Sequence, residues 1–209
     1  MKSTTRNLRI AIAAACLLFA VCTYASAQGV VTEDPAKFLA NHEPELAQAN
    51  QIKKFYLISN LAPAALAANQ VEKARLYAEQ LLELGQAMQT TPGFGPSLLS
   101  DGTHIGNMVL GQIAFLNGDI QGAKERLLQA GDVPGSSTLN SFGPDMLLAK
   151  ELIGKGSRDT VLKYFDLCAK FWQNDRGRLA DWKQVVKHGG EPNFGANDGR
   201  VFRLWRFVK

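Results

Sequence analysis

The stretch from Leu110 to Ala130, LGQIAFLNGDIQGAKERLLQA, governs how the rest of the chain is read. Apolar residues recur at three- and four-residue spacing on either side of Asn117-Gly118-Asp119, the pattern of two amphipathic helices separated by a turn. Outward from this stretch the sequence stays rich in Ala, Leu, Glu, Gln and Lys, which favour helices, and no convincing alternating strand of any length occurs. Further helix ends are marked at Asn69, at Gly131 to Gly135 and at Gly154 to Ser157. The expected fold class is all-α. The longest break, Gly85 to Thr103, contains Thr91-Pro92-Gly93-Phe94-Gly95-Pro96 and is expected to be a long loop, either functional or connecting.

Within the quoted stretch, Leu110-Gly111 is followed by Gly118-Asp119 seven residues past that glycine, then by Ala123 and Ala130. This arrangement resembles a tetratricopeptide repeat, a helical hairpin of about 34 residues. Gly111 and Ala123 are small because the two helices of such a hairpin touch there, and anything larger would hold them apart. Two weaker copies flank it. Upstream, Leu61-Ala62 leads to Asn69-Gln70 and Ala74, with Leu81 at the second small position; downstream, Leu148-Ala149 leads to Gly156-Ser157, Val161, Phe165 and Cys168, with Val161 replacing Ala. The spacings from Ala74 to Ala123 and from Ala123 to Val161 are 49 and 38 residues, so the joining loops carry extra residues.

The resemblance covers about residues 55–172 and implies a short right-handed α-solenoid of about three irregular hairpins. A further helix, Gly177 to His188, carries Leu179, Trp182, Val185 and Val186 on one face and is expected to cap the stack. The stretch from Pro134-Gly135-Ser136 through Leu139-Asn140-Ser141-Phe142-Gly143-Pro144 to Leu148-Ala149-Lys150 is similar to a segment of small bacterial exported repeat proteins. That likeness adds to the fold and nothing to the mechanism.

The N-terminus has the three zones of a secretory signal: basic Lys2, Arg6 and Arg9, an apolar run from Ile10 to Val21, and small residues ending Ala25-Ser26-Ala27. The run of 12 residues is short of the roughly 20 that a spanning helix needs. Cleavage between Ala27 and Gln28 and a periplasmic or secreted location are expected. Without this segment the formal charge falls from +4 to +1, which gives no ground for a nucleic-acid partner. Cys16 and Cys22 leave with it, so Cys168 alone remains and no disulfide can form within one mature chain. The boundaries expected are a signal at 1–27, a polar lead at 28–49, the repeat domain with its cap at 50–190 and a basic, aromatic tail at 191–209.

No motif asks for catalysis. Cys168 falls at a small packing position with no base beside it in the sequence, and His42, His104 and His188 are scattered singly rather than paired as zinc ligands. Gly154-Lys155-Gly156-Ser157 echoes a phosphate loop, but Ala149 stands where the earlier glycine belongs and no Ser or Thr follows Lys155. The chain is expected to be no enzyme and to use no cofactor or metal.

What remains is the groove that the resemblance places on the first helix of each hairpin. Carrying those positions over gives Asn60, Met108, Gln112, Phe115, Met146 and Lys150, with Tyr56, Ser59, Pro63, Ile105, Val109, Leu147 and Ile153 beside them. The surface is largely apolar, with Met and Phe able to adapt to an irregular partner. The reading is a scaffold that binds a protein or peptide partner there. The alternatives are a carrier of a small apolar ligand in the same groove, or a groove covered by the lead, the tail or a neighbouring subunit. In the tail, Arg200, Arg203, Arg206 and Lys209 alternate with Val201, Phe202, Leu204, Trp205, Phe207 and Val208. Its aromatics are expected to fold back on the helices, with membrane contact the less favoured role.

Overall fold

The computed structural model describes residues 34–202, and among them every regular element is a helix. Residues 1–33, which hold the expected signal and cleavage point, and Arg203 to Lys209 lie outside the described residues. Side-chain caps start four of the described helices. The Asp34 carboxylate accepts the Lys37 N–H at 3.0 Å and Pro35 presets the first turn, so the polar lead folds into α1 (Pro35–His42), followed by a 3₁₀ turn (Glu43–Gln48). Asn50 caps α2 (Gln51–Ala67) through the Lys53 N–H at 2.9 Å. Then come α3 (Val71–Ala87), α4 (Gly95–Leu116) and α5 (Ile120–Gly131), the last capped by Asp119 on the Gly122 N–H at 2.8 Å. Ser136 caps the short α6 (Ser137–Phe142). The chain continues through α7 (Leu147–Gly154), α8 (Arg158–Cys168) and α9 (Arg178–Lys187).

Three of the helix-to-helix turns are built alike. Asn69, Gly118 and Gly156 all take positive φ, at 58°, 77° and 78°. In each turn the next residue donates its N–H to the carbonyl five residues back: Gln70 to Ala65 at 2.8 Å, Asp119 to Ala114 at 2.9 Å and Ser157 to Leu152 at 2.9 Å. This is the Schellman ending, which needs a residue tolerant of left-handed backbone. Asn and Gly are the two types that adopt it cheaply. The helices joined in this way, α2 with α3, α4 with α5 and α7 with α8, pack against each other, and α3 also packs against α4 and α5 against α8.

The expected loop from Gly85 to Thr103 is mostly helical. Only Met88 to Phe94 separates α3 from α4, and Pro96 sits in the first turn of α4, where its missing N–H costs nothing. The glycines that suggest a loop serve a close helix contact instead. A Cβ on Gly102 would lie 3.0 Å from the Leu81 carbonyl, and one on Gly106 would lie 2.9 Å from the Ala78 carbonyl. Glycine inside a helix costs about 1 kcal/mol relative to alanine, and here it permits the backbones of α3 and α4 to meet.

One continuous apolar core runs through the helices. Ala62, Ala74, Ala123, Ala149, Val161 and Cys168, the small positions of the repeat pattern, are all fully buried. A methyl on Gly111 would meet α5 at Arg126, whose Cβ would lie 3.1 Å away, rather than at the expected Ala123, and the tighter contact is Leu148 on α7 at 2.4 Å. At the C-terminal end Phe165, Trp172, Trp182 and Phe194 form an aromatic cluster with centroid separations of 4.9 to 6.1 Å. Rings of this size each contribute about 1.5–3 kcal/mol on burial. Leu179, Trp182 and Val186 of α9 face inward, whereas Val185 is 39% exposed.

Candidate functional site

The six groove positions expected from the sequence do not form one open surface. Met108 and Met146 are fully buried, and Gln112 is 5% exposed, its Nε2 donating to Glu151 Oε2 at 2.7 Å between α4 and α7. Lys150 is half-buried and its ammonium lies 3.1 Å from Asp198 and 4.0 Å from Glu191. Asn60 is exposed but its amide donates to the Tyr56 carbonyl of its own helix at 2.8 Å. Phe115 is half-buried, with the Lys155 ammonium 5.9 Å from its ring centre. The structure thus brings Gln112 into contact with α7 and leaves Asn60, Phe115 and the ion-paired Lys150 as the accessible members.

The segment after α9 bonds to the link between α6 and α7 and pairs with Lys150 of α7. The Asn197 carbonyl accepts the Met146 N–H at 2.8 Å, and the Asn197 amide donates to the Phe142 and Pro144 carbonyls at 2.9 Å. Val201 donates its N–H to Asp145 Oδ2 at 2.6 Å. Asn197, Phe194 and Phe202 are buried. The chain therefore packs its own C-terminal segment beside Met146 and Lys150.

The buried histidine, tyrosine and serine that could carry chemistry are occupied by structural bonds. His104 is 1% exposed; its Nδ1 lies 3.0 Å from the Ala130 carbonyl and its Nε2 accepts the Asp145 N–H at 3.1 Å. That pair of partners requires the neutral ring with the proton on Nδ1, and burial pushes its pKa down to about 4. Tyr164 donates its hydroxyl to the Asp145 carbonyl at 2.7 Å. Burial raises the Cys168 thiol far above its ordinary range, with Tyr164 beside it, so it carries no thiolate at neutral pH. Burial also raises the Asp101 carboxyl, which accepts the Ser136 hydroxyl at 2.5 Å. The imidazole has no free nitrogen for a substrate and the thiol is not nucleophilic. Elsewhere His42 lies 2.7 Å from Glu45, and His188 lies 2.7 Å from its own helix carbonyl at Gln184. Among the described residues no group of three or more His, Cys, Asp or Glu is arranged to hold a metal ion.

A different surface is open. Between α5 and α8 lies a groove of about 480 Å³, lined by Leu128, Gln129 and Asp132 on one side and by Lys163, Asp166, Leu167 and Lys170 on the other. Its floor is apolar, and charges of both signs stand on its rim. Lys170 and Asp132 face each other at 3.9 Å, and Lys183 of α9 pairs with Asp166 at 2.5 Å. The sequence signal was present: Leu128 and Leu167 are leucines placed beside the fully buried Leu127 and Cys168, one step off the core stripe of the second helices. A template centred on the first helices does not look there.

Among the described residues no helix is long and apolar enough to cross a membrane. Comparison with protein-family models, with curated proteins and with solved structures gave no match.

Proposed function

We propose that this chain is an exported, non-catalytic scaffold that binds a polypeptide partner, and that the partner lies in the groove between α5 and α8. The observation that carries the reading is the groove itself: an apolar floor of Leu128 and Leu167 framed by exposed Lys and Asp side chains. An apolar floor with a polar rim is the general anatomy of a protein-recognition surface. The three turns at Asn69, Gly118 and Gly156, with their shared hydrogen bonds, support a tetratricopeptide-like solenoid of three hairpins with α9 as the cap. In such a stack the grooves between successive hairpins are sites where a partner's side chains can insert. The first-helix surface remains a weaker location, because Met108 and Met146 are already packed by the chain itself. The same packing takes away the space that a small apolar ligand would need there.

The test uses a photo-crosslinking residue placed at Lys163 or Lys170, with positions Asn60 and Phe115 as the competing site. Crosslinking in an envelope extract should trap the same polypeptide from both α8 positions, and Leu128→Arg together with Leu167→Arg should abolish it while leaving the helical spectrum intact. Crosslinks that arise only at Asn60 and Phe115 would return the site to the first helices.

A further inference from the structure

A second pocket lies between α3, α4 and α5, about 330 Å³ in volume and lined mainly by polar groups. One lining residue is Arg126, whose guanidinium is held by neighbouring amides. Asn107 is 3% exposed, in the interior of the fold. Its amide donates to the Thr103 carbonyl at 2.9 Å, and its Oδ1 accepts Arg126 Nη1 at 3.1 Å. Gln129 Oε1 also accepts that Nη1, at 3.3 Å. Burying an amide is unfavourable unless it is bonded, and this one is placed to fix a guanidinium. With Nη1 spent on neutral amides, the Nε and Nη2 edge of the planar fork is the part that can grip a carboxylate with two parallel bonds.

The other charges in the pocket keep their sign. Arg75 pairs only loosely with Glu72, at 3.7 Å, on the exposed face of α3. Asp119 Oδ1 accepts the Gly122 N–H at 2.8 Å, and Glu125 Oε1 accepts the Gln121 amide at 2.8 Å, so neither carboxylate is neutralised by these bonds. The pocket therefore presents two guanidinium groups and two carboxylates. A simple anion meets repulsion from Asp119 and Glu125, and a simple cation meets it from the arginines. A ligand that carries both charges matches both. The volume is at the small end of the roughly 300–1,000 Å³ range of ligand sites, and Leu110 and Ala114 add an apolar patch to the lining.

We propose that this pocket binds a small zwitterion of the α-amino-acid type, its carboxylate on Arg126, its ammonium toward Asp119 and Glu125, and a short aliphatic side chain on Leu110 and Ala114. The site is separate from the groove between α5 and α8 and does not depend on it, although Gln129 lines both.

Three probes with the same aliphatic body test it by calorimetric titration of the mature protein: L-valine as the zwitterion, isovalerate as the anion alone and isobutylamine as the cation alone. Valine should bind saturably, and each single-charge probe should bind at least ~10-fold more weakly, the scale of one charge-assisted hydrogen-bond pair. Arg126→Gln should weaken valine by a similar factor. Glu125→Gln, at an exposed position, should weaken valine while leaving isovalerate unchanged or tighter. Absence of saturable valine binding overturns the proposal, as does isovalerate binding as tightly as valine. So does an unchanged valine-to-isovalerate ratio in Glu125→Gln, which holds even where Arg126→Gln fails to fold.

Discussion

Acid should loosen this fold through one histidine. His104 is neutral in the folded chain because its Nε2 accepts the Asp145 N–H and its Nδ1 donates to Ala130. Protonation would turn Nε2 into a donor facing another donor, inside a site with no water access. Burial holds the folded pKa at about 4 against the ordinary histidine value of 6.5. The unfolded chain therefore binds a proton first as pH falls, and stability declines from about pH 6.5 downward until the folded form also titrates near pH 4. At 1.36 kcal/mol per unit, the full loss is about 3 kcal/mol, with about 2 kcal/mol already spent at pH 5. Asp101 acts in the opposite sense. Its raised pKa means that it costs stability when ionised and recovers part of it in acid. Urea unfolding of the wild type and of His104→Gln across pH 4 to 7 isolates the histidine, since Gln keeps an acceptor for Asp145 but cannot titrate. Between pH 6.5 and 4 the wild type should lose about 3 kcal/mol more than the variant. Parallel curves for the two proteins would refute the assignment.

Other outcomes follow from packing. Gly111→Ala should destabilise by about 1 kcal/mol despite the gain in helix propensity, because its methyl meets the buried Leu148 at 2.4 Å. Gly154→Ala, with nothing near its Cβ, should stabilise by a few tenths to about 1 kcal/mol. Equal shifts in melting temperature for the two would contradict the contact. Cys168 should react with a thiol reagent only at the rate of unfolding, and rapid labelling of the native protein would count against its burial. Asn197→Leu, which strands the Phe142 and Pro144 carbonyls, should cost about 2–4 kcal/mol in denaturant unfolding; a loss under about 1 kcal/mol would mean that the segment after α9 is not anchored as described.

What was legible in the sequence is what repeats. Asn69-Gln70 and Gly156-Ser157 depart from the Gly-Asp of the middle turn, yet all three turns form the same bonds, because the turn needs a residue that tolerates positive φ and not a particular partner after it. Cys168 falls on a packing position by spacing alone, and it is fully buried. The helix expected from Gly177 to His188 is present as α9 (Arg178–Lys187). Contacts without a period were not legible. Asn197 reaches Phe142 and Pro144 across more than fifty residues, so nothing local announced that Met146 would be buried and Lys150 ion-paired. The glycines at 102 and 106 misled for a related reason: glycine signals either a free backbone or a close approach, and the approaching α3 is not visible from α4. The open groove was missed because a leucine one step off the core stripe is ambiguous until its neighbour on the next hairpin is known.

The most direct test of the central claim is amide hydrogen exchange of the protein, alone and saturated with the polypeptide captured through α8. The account predicts added protection at residues 128–132 and 163–170, which line the groove, with residues 56–60 and 112–116 unchanged. Protection confined to those first-helix residues, with α5 and α8 exchanging as in the free protein, would contradict it.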